Sequence, residues 1–203
     1  MFFEIAKNDH GLPHNPMKAL VAPRPIGWVT TMSAKGEVNL SPYSFFNYMG
    51  ESPFIVAFAS TGRKDAATFA EETKEFVCNL ATWDLREHMN LTSAPLPRGE
   101  SEIDYAGLTT APSRLVKPPR VAETPVALEC KWLQTVRPNT IEGEPTDTWI
   151  TLGQVVGAHI DDAFIKGGLV DTAAMRPITR GGYHDYFVAT PETKFSMTRP
   201  VKA

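Results

Sequence analysis

Two adjacent cations, Arg63 and Lys64, stand in the stretch ASTGRKDAATFAEE, residues 59–72. An apolar run ends just before them at Ser60, and an Ala- and Glu-rich segment of good helix formers follows. A helix that starts there presents unpaired backbone N–H groups, which favour an anion. Cations at such a start oppose the helix dipole, at a cost of about 0.3–1 kcal/mol unless an anion is held between them. Together with the hydroxyls of Ser60, Thr61 and Thr68, Arg63 and Lys64 make a phosphate cradle. Asp65 is the expected N-cap. The same residues also read as an ordinary strand–loop–helix junction, with Thr68 and Glu71 as a capping box for a later helix start.

Some fifteen residues upstream lies NLSPYSFFNYM, residues 39–49. Four aromatics (Tyr43, Phe45, Phe46, Tyr48) alternate there with small hydroxyl and amide groups (Asn39, Ser41, Ser44, Asn47). Flat apolar surface beside small hydrogen-bonding groups suits a planar heterocycle with polar edges. A ring platform near a single phosphate cradle suggests a mononucleotide-type ligand. The competing reading makes these aromatics core or interface residues, and for Phe45 and Phe46 individually it is the stronger one.

The elements that must position these groups are mostly strands. PIGWVTTM (25–32) reads as a strand, Lys35-Gly36 as a turn, and EVNLS as the second arm of a hairpin. SPFIVAFAS (52–60) is an apolar run of strand length, expected to be buried on both faces. Residues 64–73 are expected to be helical, 75–81 a strand, 83–92 a short helix with Asp84 near its start, and 93–105 a Pro-rich loop. PVALECKWLQTVRP (125–138) and TDTWITLGQVVGAHI (146–160) read as long antiparallel neighbours. Frequent turn signals and short helices predict one mainly β domain over residues 1–203, an antiparallel barrel with helical insertions.

Composition narrows the classes. The chain has 203 residues, 42% hydrophobic, and a net charge of −3, which argues against a nucleic-acid binder acting through a broad basic field. No apolar run approaches the ~20 residues that span a bilayer. MFFEIAKNDHGLP at the N-terminus lacks the apolar stretch of a signal peptide. Asn90-Leu-Thr92 matches a glycosylation pattern but means little without one. Cys78 and Cys130 lie in apolar strand-like surroundings and are expected as reduced, buried thiols, with the cytoplasm as the default address. There is no Gly-x-Gly-x-x-Gly, Walker loop, His-Glu-x-x-His, Cys-x-x-Cys or Gly-x-Ser-x-Gly. His10 and His14 are separated by Gly11 and Pro13, so no helix presents them together and no metal is expected.

RPIGWVTTMSAKGEVNLSPYSFFN, PFIVAFASTGRKDAATFAEETKEFVCNL, GQVVGAHIDDAFIKGGLVD and MRPITRGGYHDYF, in this order, resemble the flavin reductase-like family over about residues 18–187. The resemblance implies a Greek-key split β-barrel, a homodimer, and FMN near the subunit interface. It implies Ser41, Tyr43, Ser44 and Asn47 bordering the ring and ribityl chain, and Thr30 and Thr31 near the ring's polar edge. Ser60, Arg63, Lys64 and Thr68 would hold the phosphate, and Arg180 would stand close to the flavin. The Pro-rich loop after residue 93 would cover a site, that of this chain or of its partner.

The function implied is NAD(P)H-dependent flavin reduction, with NADH or NADPH as co-substrate and an oxygenase or other acceptor as partner. No catalytic constellation is evident. His159, beside Asp161 and Asp162, could move protons or could be structural at a strand end. Two further classes stay open: a flavoredoxin-like electron-transfer protein, and a ligand-binding barrel without redox chemistry.

Overall fold

The computed structural model describes residues 1–97 and 99–201. A short helix, α1 (Met17–Leu20), leads into strand β1 (Arg24–Pro25). Then come β2 (Gly27–Met32), β3 (Val38–Tyr43), β4 (Phe46–Glu51) and β5 (Phe54–Thr61), the helix α2 (Asp65–Thr73), and β6 (Glu75–Leu80). Two short helices follow, α3 (Arg86–Leu91) and α4 (Glu102–Tyr105), and a small ribbon of β7 (Thr110–Ala111) and β8 (Arg120–Val121). The long hairpin β9 (Val126–Val136) and β10 (Thr148–Ile160) is next. The chain then makes the β11 (Ile165–Lys166) and β12 (Leu169–Val170) ribbon, β13 (Ile178–Arg180) and β14 (Tyr186–Val188).

Seven strands form the main sheet in the order β3-β2-β6-β9-β10-β5-β4, and every neighbouring pair is antiparallel. The expected β9–β10 pairing holds, with Ile160 opposite Val126 and Ile150 opposite Val136. The sheet is strongly curled. Val29 on β2 and Phe58 on β5 are separated by three intervening strands, yet they share one buried cluster with Phe76, Cys78, Cys130 and the α2 residues Ala66 and Ala70. At the open seam the Phe46 ring of β4 lies over Gly27 of β2, where a Cβ would stand 2.5 Å from the ring. A side chain at position 27 would push β4 away from β2, so glycine permits the approach. This is a split barrel of mainly β structure with short helices.

Alternation along β2 sends Trp28 to the opposite face from Val29. Trp28 joins a second cluster with Leu40, Leu85, Met89, Ile103 and Ile178, beneath α3, α4 and β13. Both faces of β2 are therefore buried, as its continuous apolar and threonine composition permits. Cys78 and Cys130 are free and buried. Among the described residues, no helix is long and apolar enough to cross a membrane.

Four local expectations are corrected. Asp65 is the first residue of α2 and Lys64 is the N-cap, in extended conformation with no side-chain cap. The 83–92 helix begins only at Arg86, and Asp84 pairs with Arg176 at 3.3 Å. The loop after residue 93 contains α4, whose start is capped by Ser101 accepting from the Asp104 N–H. In β5 both faces are buried at the centre, Val56–Phe58, and Ser60 is buried too, while the ends, Phe54 and Thr61, are exposed.

Candidate functional site

The aromatic-and-hydroxyl stretch does not run as one strand. It ends β3 at Tyr43, turns through Ser44 and Phe45, and restarts as β4. That corner puts Ser41, Tyr43 and Ser44 on one wall of a groove of about 710 Å³, opposite the β5–α2 junction with Ser60, Thr61 and Lys64. Thr92 to Leu96 close the remaining side, so the Pro-rich segment lines this chain's own groove.

Local chemistry shapes the junction. Ser60 Oγ donates to the Gly62 carbonyl at 2.8 Å, and the Gly62 N–H donates to the Asp147 carbonyl at 2.8 Å. Gly62 has φ +76°, which favours glycine, and this turn swings Lys64 to the head of α2. Thr68 Oγ1 donates back to the Lys64 carbonyl at 3.1 Å.

The opposite wall is held by Glu102. Its carboxylate accepts from Asn39 Nδ2 at 2.8 Å and from the Leu40 N–H at 3.2 Å, which satisfies an edge-strand donor of β3. The Tyr43 ring packs on Phe58 with centroids 5.0 Å apart. Burial outweighs its hydrogen bond with Ser41 and pushes the Tyr43 phenol well above its ordinary range, so it stays neutral. Thr92, fully buried, accepts from Trp28 Nε1 at 2.9 Å and donates to the Met89 carbonyl at 2.8 Å, fixing the start of the 92–96 segment.

A second hollow of about 920 Å³ continues from the groove, sharing Lys18, Pro42, Ser44 and Ser93 with it and adding Arg24, Asn90, Arg180 and His184. Arg180 therefore joins the assembly, stacked 4.4 Å over the Tyr186 ring and donating to the Tyr183 carbonyl.

Other expected residues lie elsewhere. Arg63 is not part of the groove wall; it pairs with Glu71 at 2.5 Å and stacks 5.2 Å over Trp149. Thr30 and Thr31 are fully buried, and Thr30 Oγ1 accepts from Asn79 Nδ2 at 2.8 Å. Asn47 is exposed on β4 and accepts from the Tyr48 N–H at 2.8 Å. His159 pairs with buried Glu129 and lines neither hollow.

Lys18, Arg24 and Thr92 are not among the expected site residues, whereas Ser93 begins the Pro-rich loop expected to cover a site. The only sequence signal was Arg24 in RPIGW and the hydroxyl-rich Asn90–Ser93 run.

The donor set fits a ring-bearing mononucleotide. Ser41, Ser44, Ser60 and Thr61 supply hydroxyls, Lys64 supplies a cation at a helix start with no side-chain cap, and Tyr43 and Phe45 supply apolar faces. Small-molecule sites commonly have volumes of ~300–1,000 Å³, which covers both hollows.

Comparison with known proteins agrees with this geometry. Residues 19–177 match the flavin reductase like domain. An uncharacterised protein of Halalkalibacterium halodurans is 38% identical over 186 residues, covering 89% of this chain and 87% of that protein. The structure is similar to nitrilotriacetate monooxygenase component B from Bacillus cereus, with TM-score 0.87 and 26% identity over 97% of this chain and 98% of that one. It shares its fold with a 2-nitrobenzoate 2-nitroreductase from Pseudomonas fluorescens, with TM-score 0.84 and 24% identity over 100% and 99% of the two chains. The curled sheet, the groove and the matched residues place this chain in the flavin reductase-like family, as a flavin-related oxidoreductase of split-barrel fold.

Proposed function

We propose that the chain binds FMN in the groove and acts as a NAD(P)H-dependent flavin reductase. The observation that carries this reading is the convergence of Ser41, Tyr43, Ser44, Ser60 and Lys64 on one groove at the start of α2, in a chain of this family. Lys64 and the α2 start hold the phosphate, aided by Ser60 and Thr61. Ser41 and Ser44 donate to the polar parts of the cofactor. The neutral Tyr43 contributes apolar contact without adding a negative charge beside it. FMN, when bound, supplies the hydride-accepting chemistry and passes electrons on one or two at a time. The chain's own tasks are then to bind, orient and exclude water, and they need no acid–base triad.

The reading extends to partners. β4 is an edge strand whose Tyr48 and Met49 are exposed, beside exposed Phe54 with its ring 6.1 Å from that of Tyr48. Such an apolar edge supports a homodimer. Similarity to a monooxygenase component supports delivery of reduced flavin to a partner oxygenase. Two free buried thiols suit a reducing cytoplasm.

The test is to add NADH or NADPH to the FMN-loaded protein without oxygen and follow the loss of visible flavin absorbance. Rapid bleaching by either nucleotide supports the proposal. Reduction only by an added protein donor replaces it with the electron-transfer reading. A protein that takes up no flavin ends both.

A further inference from the structure

The 920 Å³ hollow beyond the groove carries three permanent cations, Lys18, Arg24 and Arg180, together with His14 and His184. Among the described residues, no aspartate or glutamate lines it, and none of the three cations forms an ion pair. Arg24 is only 9% exposed. Its guanidinium donates to the carbonyls of Lys18 and Val21 at 2.5 Å each and to that of Gly181 at 3.0 Å, while Nε has no partner. Lys18 and Arg24 both stand near the Phe45 ring, 6.0 and 5.9 Å from its centroid, so two like charges line the same end of the hollow. A buried cation met only by carbonyls, beside further unpaired cations, is costly unless an anion compensates it. At Arg180 and His184 the hollow opens into a slot of about 370 Å³ with Met89, Ile178 and Phe187 on its apolar side and Trp83 at its rim, where Arg86 and Glu87 also line it and pair with each other at 3.4 Å.

We propose that this hollow is an anion site for the second substrate. It takes a ligand bearing a carboxylate or phosphate against Arg24, Lys18 and Arg180, with an apolar ring running into the Trp83–Phe187 slot. Only the word "second" rests on the FMN reading; the charge and shape argument stands on the hollow itself.

Calorimetric titration of the FMN-loaded full chain tests this, with benzoate, its neutral isostere benzamide, and inorganic pyrophosphate as probes. Benzoate or pyrophosphate should bind at least about tenfold more tightly than benzamide, and Lys18→Gln should weaken the anion by about tenfold. Whichever anion binds more tightly identifies the group as carboxylate or phosphate. Arg24→Gln should weaken it further; since Arg24 is buried and ties three carbonyls, the exposed Lys18 provides the variant that keeps the chain folded. Trp83→Ala should weaken benzoate and leave pyrophosphate unchanged. Equal affinity for benzoate and benzamide overturns the proposal. So does anion binding to the flavin-free chain that FMN abolishes, because the hollow would then be part of the flavin seat. Failure of FMN to bind, with benzoate still held, removes the flavin assignment and upholds the anion site.

Discussion

His159 Nε2 stands 2.5 Å from Glu129 Oε1, and the same carboxylate, 1% exposed, accepts the backbone N–H groups of Arg114, Leu115 and Val116. The pair fastens the segment before β8 to the β9–β10 hairpin. His159 reaches this position because β10 sets it opposite Ala127, two residues from Glu129 on β9. In this chain His159 is bonded to a buried carboxylate and lines neither the groove nor the hollow beyond it.

Glu129→Gln should therefore destabilise the fold. The amide presents hydrogens where three N–H donors converge, and a buried network that loses one partner typically costs about 3 kcal/mol. Burial by itself raises the Glu129 carboxyl, but the Arg114 N–H, His159 and the Leu115 N–H overcome it and hold the group below the usual carboxylate range. A group depressed in the folded state contributes stability at neutral pH that is lost as pH falls through the depressed value. Urea unfolding at neutral and acid pH should show this loss in the parent protein and a flatter pH profile in Glu129→Gln.

Lys64 and Arg63, adjacent in sequence, should behave differently. Lys64 lines the groove, whereas Arg63 is engaged by Glu71 and Trp149. Lys64→Ala should weaken FMN binding by about tenfold or more, as expected for loss of a charge-assisted phosphate contact. Arg63→Ala should weaken it by no more than about twofold, since an exposed ion pair contributes little. Fluorescence titration of FMN decides it, and equal losses would place both side chains on the phosphate.

These two residues also mark how far the sequence can be read. Helix formers after Arg63-Lys64 announce α2, and long alternation announces the β9–β10 hairpin, because both signals are local. The partners of Arg63 are not local: Glu71 is two helical turns away and Trp149 comes from β10. Asp65 looked like a cap by residue type, but the sharp turn at Gly62 starts the helix one residue earlier. Lys18 and Arg24 reach the site through Arg24's bond to Gly181, 157 residues away, and through the Ala19 backbone lying against Gly182. No spacing rule exposes such contacts. The side chains of Thr30 and Thr31 are buried for the converse reason, since both faces of β2 are covered.

Gly153→Ala should be strongly unfavourable. A Cβ there would overlap the Phe76 ring and stand 3.2 Å from the Lys131 carbonyl, at a register shift in the β9–β10 ladder. Phe76 is fully buried within the barrel cluster and has no room to retreat. Overpacking of this kind costs about 1–3 kcal/mol. Adding Phe76→Leu should recover part of the loss in urea unfolding; strictly additive losses would mean that the ring does not set the limit.

Thr92→Val tests whether the fold's outer core and the groove are mechanically linked. The hydroxyl accepts from Trp28 Nε1 and donates to the Met89 carbonyl, and both groups are buried with it. Valine keeps the volume and leaves the indole N–H unpaired, which costs about 1–3 kcal/mol. Because Thr92 also begins the segment that walls the groove, FMN affinity should fall with stability, whereas Thr92→Ser should restore both. Lower stability with unchanged FMN affinity would show that the wall is held by Ser93 to Leu96 independently of the Trp28 anchor.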